Sequence, residues 1–370
     1  MKIAIDARKL RDYGIGTYVR NLLRYLSRLD KTTEYVLFCR AEDCTTIEEF
    51  GENFRAVPEL ARQYSIKEQL RIPLDLRREG IDLFHAPHYV LPALIPCKAV
   101  VTIHDCIHLR FPQYLPNRLG YAYARASMWI ATHRSNRVLT VSEASKRDIL
   151  KYFHVPERKI DVIYNGIDER FGEIPSPDEV LRVRERYQLN NPFVLYAGNI
   201  KPHKNLERLI EAFHLLRRNG HDTVKLLIIG DEISKYATLR RAVHRYKLHK
   251  HVRFFGFVPD KTLAVLYRLA GVFVFPSLYE GFGLPPLEAM ASGTPVITSN
   301  VSSLPEVVGD AALLIDPYEP AAIAQAMARV LTEPSLREDL RRRGLLRVKE
   351  FSWDRSVRRV HEIYQEVLAG

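Results

Sequence analysis

Nowhere does this 370-residue chain carry the roughly 18–20 consecutive apolar residues that a bilayer-spanning helix requires, so a soluble or at most peripheral protein is expected. Cysteine is scarce. Cys39, Cys44, Cys97 and Cys106 have neither C-x-x-C spacing nor the density of a disulfide framework, and no signal-peptide pattern precedes them, so a reducing, cytoplasmic setting is expected. There is no zinc-finger spacing, RNP signature or basic leucine zipper, which argues against nucleic acid as a partner. The pairs His85/His88 and His104/His108 fall at extended strand ends, where such spacing does not converge on a metal. Gly14-Ile-Gly16-Thr17 lacks the third glycine of a dinucleotide fingerprint, which would fall at Val19, and this argues against a nicotinamide enzyme. Between Cys106 and Ser142 there is no Asp or Glu.

What is present is an ordinary globular composition, 46% apolar and 27% charged, in a chain long enough for two domains. Lysine and arginine (55) outnumber aspartate and glutamate (44), and the resulting charge of +11 calls for an acidic partner such as anionic lipid headgroups or a diphosphate. Within the acid-free stretch Arg110, Arg118, Arg125, Arg134 and Arg137 alternate with Tyr114, Tyr121, Tyr123 and Trp129. Arginines interleaved with interfacial aromatics suit a surface resting on an anionic membrane or gripping a lipid diphosphate; a solvated basic helix over the core has the same pattern.

Short apolar segments alternate with amphipathic ones throughout, the pattern of parallel α/β sheets. The first half offers strands at 2–6, 35–39, 81–85, 99–104, 137–141 and 160–163; the second offers 193–197, 224–229, 252–257, 272–275, 295–298 and 312–315. Ile15, Val19, Leu22, Leu23, Leu26 and Leu29 recur at helical spacing, as do Leu206, Leu209, Ile210, Phe213 and Leu216. Two doubly wound domains are therefore expected, residues 1–170 and 192–353, joined by a Pro-rich and charged linker over 171–191. Ligands of open α/β sheets bind beyond the carboxyl ends of the strands, so the site is expected in a cleft where two such sheets face each other.

The segment from Phe275 to Glu288 concentrates chemistry. A buried strand ends near Ser277, Gly281 and Gly283 let the backbone come close to a ligand, and Pro285 or Pro286 starts a helix whose N-terminus suits an anion. Two acids beside an anion site would repel a phosphate unless they point at hydroxyls, so a ligand with both phosphate and polyol parts fits, and a nucleotide sugar has both.

The stretch EGFGLPPLE, from Glu280 to Glu288, followed by Gly293-Thr-Pro295, resembles the E-x7-E signature of the retaining glycosyltransferases of family 4. So do DARKLRDYGIGTYVRNLL near the start, VVTIHD at 100–105, LTVSEASKRDI at 139–149, VIYNGID at 162–168 and LYAGNIKPHKNLERLIEAF at 195–213. The resemblance implies the two-domain GT-B fold, with an acceptor-binding first domain to which a C-terminal helix, 354–370, returns, and a nucleotide-sugar-binding second domain.

Residue by residue, the resemblance implies that Lys204 binds the donor phosphates, Glu288 the ribose hydroxyls, and Glu280 the sugar hydroxyls, with a share in stabilising oxocarbenium-like charge. His104 would contact the donor sugar, and His104, Lys204 and Glu280 are the expected catalytic residues. Gly14 and Gly16 would meet the diphosphate or the sugar. Gly281, Phe282, Gly283 and Leu284 would offer backbone donors to the sugar and β-phosphate, and Phe257 and Val258 would seat the base. Asn199 departs from the pattern, because many relatives have arginine there; Lys201 is the candidate replacement. Asp-x-Asp occurs nowhere, whereas metal-dependent transferases of the other main fold use such a pair, so no metal and no cofactor are expected. The implied activity is a retaining hexosyl transfer from a nucleotide diphosphate sugar, with GDP-mannose first and a UDP-sugar second, to a glycan or lipid-linked acceptor in surface polysaccharide assembly, at or near the inner face of the membrane. A same-fold epimerase or phosphorylase, or a non-catalytic sugar-nucleotide binder, would share the paired sheets.

Overall fold

The computed structural model describes residues 1–61, 63–115, 117–230 and 236–370. The chain divides into two compact units, Met1–Gly166 with Ser352–Gly370, and Ile167–Phe351.

The first unit is a seven-stranded, wholly parallel sheet. Its strands are β1 (Lys2–Asp6), β2 (Glu34–Cys39), β3 (Phe54–Pro58), β4 (Leu83–Ala86), β5 (Lys98–Thr102), β6 (Arg137–Thr140) and β7 (Ile160–Val162), in the order β3-β2-β1-β4-β5-β6-β7. Successive side chains of a strand point to opposite faces, and the core divides accordingly. Ile3, Ile5, Tyr35 and Leu37 pack with Leu22, Leu26 and Val357 on one side, while Ala4, Val36 and Phe38 pack with Ile72, Leu76 and Met128 on the other. The helix Trp353–Ala369 belongs to this unit: its Tyr364 hydroxyl meets His85 Nδ1 at 2.5 Å, and His85 Nε2 meets Thr102 at 2.8 Å. Burial pushes the His85 ring down to about 3, so it serves as a neutral structural link.

The second unit is a six-stranded parallel sheet of β8 (Phe193–Ala197), β9 (Lys225–Ile229), β10 (Val252–Phe255), β11 (Val272–Phe275), β12 (Val296–Ser299) and β13 (Ala312–Ile315), in the order β10-β9-β8-β11-β12-β13. β8 and β11 are buried along their whole length, as strands covered on both faces must be.

Two features differ from the sequence-based expectation. β3 was not expected, because FRAVP alternates weakly and ends in proline; it lies at the sheet edge, pairing only with β2, where proline is tolerated. The stretch expected as a linker over 171–191 instead carries the helix Pro177–Tyr187, with a full capping box between Ser176 and Glu179, and it lies inside the second unit, whose boundaries fall at Ile167 and Phe351. Pro at the first helical turn and Ser before it are turn signals in one reading and helix-start signals in the other. Among the described residues, no helix is long and apolar enough to cross a membrane.

Candidate functional site

Both sheets reverse their winding once. In the second unit the reversal lies between β8 and β11, the strands from which the chain departs in opposite directions, and a crevice opens there at the carboxyl ends. After β8 comes Gly198 to Lys204; after β11 comes Pro276 to Gly283. Lys204 and Glu280 meet across this crevice. The lysine Nζ donates to Glu280 Oε1 at 2.6 Å and Oε2 at 2.9 Å, and both side chains are about nine-tenths buried, with 11% and 12% of their area exposed. Nζ also lies 5.2 Å from the centroid of the Phe275 ring. Two residues 76 apart in sequence thus form one partly desolvated ion pair, where Coulombic interactions are stronger than in water.

The supporting shell fixes this pair. Asn205 adopts a left-handed conformation with φ of 62° and its amide donates to the carbonyls of Pro276 at 3.0 Å and Pro317 at 2.7 Å, tying the KPHKN turn to the end of β11. The Leu278 amide donates to the His203 carbonyl at 2.7 Å. Ser302, also left-handed at φ 59°, accepts from the Glu280 amide at 3.2 Å and donates to the Glu280 carbonyl at 2.7 Å; the fully buried Ser303 donates to the Glu280 and Phe282 carbonyls at 3.0 and 2.6 Å. Strained backbone persists only where surroundings over-determine it, and it gathers at binding sites. Ser302, Ser303 and Asn205 escaped the sequence reading as supports. The one usable signal was that Ser302 and Ser303 follow the carboxyl end of β12.

Gly283 has φ of 121°, a conformation strained for any side chain, and a Cβ there would also lie 2.9 Å from Leu304 Cδ2 and push it aside. The helix runs from Leu284 to Ala291 with Pro285 and Pro286 inside its first turn, which places Glu288 fifth, at the start of the second turn. Proline has no N–H, so two of the four amides that a helix N-terminus leaves open are missing. Among the described residues the amides of Gly283 and Leu284 donate to no acceptor, and they remain as the anion-facing pair.

Glu288 is partly exposed, and Tyr267 donates its hydroxyl to Oε2 at 3.0 Å. Burial pushes its carboxyl up to about 7, with the carboxylates of Asp260 and Asp168 adding to the rise and the Tyr267 hydrogen bond and Arg170 opposing it. Arg170 holds both of those acids, Asp168 at 2.6 Å and Asp260 at 2.8 Å. Phe257 stands 85% exposed beyond the end of β10, whereas Val258 is buried and offers a ligand only its backbone. Lys201 is exposed and makes no ion pair among the described residues, and the Asn199 Oδ1 atom is buried without a partner.

The first-unit candidates sit as follows. Gly14 and Gly16 lie inside the first turn of the helix Tyr13–Leu29 rather than in the loop before it. A Cβ on Gly16 would lie 2.5 Å from the Leu10 carbonyl oxygen, so this glycine is needed for packing, whereas Gly14 faces open space. His104 Nε2 meets the Pro87 carbonyl at 3.0 Å and its ring sits edge-on to Tyr18 at 5.0 Å. Burial lowers its pKa, so the neutral ring donates from Nε2 and keeps Nδ1 as an acceptor. Asp105 caps the next turn through the Ile107 amide at 2.9 Å and does not hold His104. Among the described residues there is no group of three or more His, Cys, Asp or Glu that could hold a metal.

Residues 178–347 match the family of glycosyl transferases group 1, and residues 13–171 match glycosyltransferase family 4. The O-antigen chain mannosyltransferase B of Escherichia coli is 34% identical over 92% of this chain and 93% of its own. Solved structures of other proteins share the fold. The sucrose-phosphate synthase of Thermosynechococcus elongatus has a TM-score of 0.82 at 22% identity, over 100% of this chain and 99% of its own. Anabaena HepE in complex with UDP-glucose has a TM-score of 0.81 at 18% identity, over 99% and 100%.

Proposed function

This chain belongs to glycosyltransferase family 4, and on that footing we propose that it is a retaining hexosyltransferase that moves mannose from a nucleotide diphosphate sugar to a glycan or lipid-linked acceptor in surface polysaccharide synthesis. The observation that carries this reading is the contact of Lys204 with Glu280 at the winding reversal of the second sheet. A cation and a carboxylate there, beside two open amides, match a donor with diphosphate and hydroxyls in one molecule. Mannose is supported by the mannosyltransferase relative; GDP is the first choice of carrier and UDP the second.

In the reaction the C1–O bond to the β-phosphate breaks, the acceptor oxygen bonds to C1 from the same face, and the acceptor proton passes to the departing phosphate oxygen. Lys204 and the Gly283 and Leu284 amides neutralise charge that grows on that phosphate only as the bond breaks, which is where rate is gained. Glu280 holds sugar hydroxyls, Glu288 the ribose hydroxyls, and Lys201 and Asn199 stand near the phosphates. Phe257 and the Val258 backbone take the base. The roles of Gly14, Gly16 and His104 rest on the family pattern alone. Charge neutralisation by lysine and amides requires no metal, so activity unchanged by a chelator is the expected result.

Peripheral contact with an anionic membrane at its cytoplasmic face is supported by the helix Arg118–Arg134, where Leu119 (79% exposed) and Trp129 (50%) share the surface with Arg118 and Arg125. A thermal-shift panel of GDP, UDP and ADP tests the donor, because a ligand at a hundred times its dissociation constant stabilises by about 2.7 kcal/mol. Transfer of mannose from GDP-mannose to a mannoside then tests the reaction. No shift with any nucleotide and no transfer would end this reading.

A further inference from the structure

The turn that follows β2 carries two thiols that the transfer chemistry does not use. Cys39, the last residue of β2, is fully buried; Cys44, half-buried, opens the short helix Cys44–Glu48, and the 3-10 turn Ala41–Asp43 lies between them. The two Sγ atoms stand 3.4 Å apart. A disulfide bond is about 2.05 Å long, so a small shift closes the gap. Little opposes that shift, because the contacts of the two sulfurs with backbone carbonyls are long, Cys39 Sγ to Val57 at 3.8 Å and Cys44 Sγ to Arg40 at 3.7 Å. β2 is paired on both sides, with β1 and β3, so Cys39 is the fixed partner and the turn is the part that moves.

The four cysteines are not equivalent. Cys97 and Cys106 flank β5 at opposite ends, and burial raises both thiols, Cys97 to about 12 with Asp82 adding to the rise. Burial also pushes the Cys39 thiol up, and the hydrogen bond to Cys44 adds to this. Cys44, open to solvent on one side, is therefore the thiol a reagent meets first, and Cys39 is the one placed to resolve the product.

The turn between the two cysteines grips the loop that leads from β1 into the helix Tyr13–Leu29. Arg11 donates to Asp43 Oδ1 at 2.5 Å and to the Glu42 carbonyl at 3.0 Å, and Arg40 lies 3.7 Å from Asp12 Oδ1. Asp43 is only 1% exposed, and its Oδ2 has no partner among the described residues. Parting Arg11 from Asp43 would leave a buried carboxylate uncompensated, so a displaced turn carries the loop with it.

We infer that Cys39 and Cys44 form a reversible dithiol–disulfide site, closed by a small oxidised disulfide such as oxidised glutathione, whose closure displaces the loop 9–12. In the first step the Cys44 thiolate attacks one sulfur of the small disulfide and expels the other as a thiolate. In the second the Cys39 thiolate attacks Cys44 Sγ and expels the remaining small thiolate. The two protein thiols are oxidised, the small disulfide is reduced to two thiols, and the two protein protons pass to them. Disulfides that form in reducing compartments are generally of this transient, redox-responsive kind. Gly14 and Gly16 follow the loop directly, so under the transferase reading the oxidised chain transfers more slowly.

The test is incubation of the full chain with oxidised glutathione, followed by alkylation and peptide mass spectrometry. A Cys39–Cys44 linkage is expected, reversed by dithiothreitol, with Cys97 and Cys106 still alkylated. Hydrogen exchange at the Asp12 and Gly16 amides, which donate to the Lys9 and Asp12 carbonyls, is expected to quicken on oxidation. Transfer should fall by about tenfold in kcat/KM and recover on reduction, as misplacement of a positioning loop does. Cys44→Ser, with Cys44→Ala as a second variant, should keep the reduced chain's turnover and lose every response to the oxidant. Reaction that stops at a glutathione adduct, linkage through Cys97 or Cys106, loop exchange unchanged by linkage, or an active enzyme with the same turnover in both states would overturn the inference. Linkage and exchange are read without donor or acceptor, so the two failures are separable. Both present in a chain that transfers nothing in either state uphold the thiol site and end the transferase reading; both absent in an active enzyme do the reverse.

Discussion

The two winding reversals of this molecule are built alike and charged differently. Each places a lysine over an aromatic ring, Lys9 above Tyr64 at 5.0 Å and Lys204 above Phe275 at 5.2 Å, and each is held by a residue forced into the left-handed region, Tyr64 in one and Asn205 and Ser302 in the other. In the first unit Asp6, at the end of β1, and Glu68, in the first turn of the helix Ile66–Arg78, both bind the buried Arg8, and the lysine's carboxylate comes from its own loop, three residues on. In the second the carboxylate comes from across the reversal, and open helix amides adjoin it. One topology therefore carries a closed network of ion pairs beneath aromatic rings at one site and a single lysine–carboxylate pair beside open amides at the other. The sheet fixes where a ligand goes; the loop residues fix which chemistry it has.

The largest expected effect breaks the charged side of this comparison. Lys204→Ala or Glu280→Gln should lower kcat by about 10²–10³, as loss of one transition-state donor does, while Lys9→Ala should leave kcat nearly unchanged; steady-state kinetics separates the two. Next comes the support beneath Glu280. Ser303→Ala removes the hydroxyl proton shared by the Glu280 and Phe282 carbonyls and should cost about tenfold in kcat/KM with the fold retained, as read by circular dichroism and turnover.

Glu288 sharpens the comparison through pH. Its carboxyl, raised to about 7, must be ionised to accept ribose hydroxyls, so nucleotide affinity should weaken about tenfold at one pH unit below that value, and Glu288→Gln should abolish this component of the pH dependence in calorimetry. The stability effect has the opposite sense. The folded state keeps a proton that the unfolded chain has released above the ordinary carboxyl range, so stability from this group is present at low pH and is lost as pH rises through about 7. Tyr267→Phe removes a hydrogen bond that favours the ionised form and should move both profiles upward.

The smallest effect separates two glycines two residues apart. Gly16→Ala drives a Cβ against the Leu10 carbonyl and should cost about 1–3 kcal/mol in denaturant unfolding; Gly14→Ala meets nothing and should be neutral or stabilise by up to about 1 kcal/mol.

Much of this was legible in the chain itself. Runs such as FVLYA and VFVF have the composition that buried parallel strands demand, and every strand expected from such runs lies within a few residues of an observed one. β3 was hidden because an edge strand is half solvated and needs no such run. Lys204, Glu280 and Glu288 were each named from the resemblance that their segments bear to the family's motifs. Their supports were not, because Ser302, Ser303, Tyr267 and the pair Arg8 and Glu68 act through hydrogen bonds to residues far off in sequence.

By itself the sequence determined the periodicities, and so the two sheets, and it determined which loops carry chemistry, because hydrophobic burial and glycine or proline geometry are local properties of the chain. Only the tertiary structure decided that Lys204 meets Glu280, that Arg8 bridges Asp6 and Glu68, and that burial lifts Glu288 to about 7. Those outcomes depend on distance and desolvation between residues that strand order brings together, and neither quantity exists until the sheets have formed.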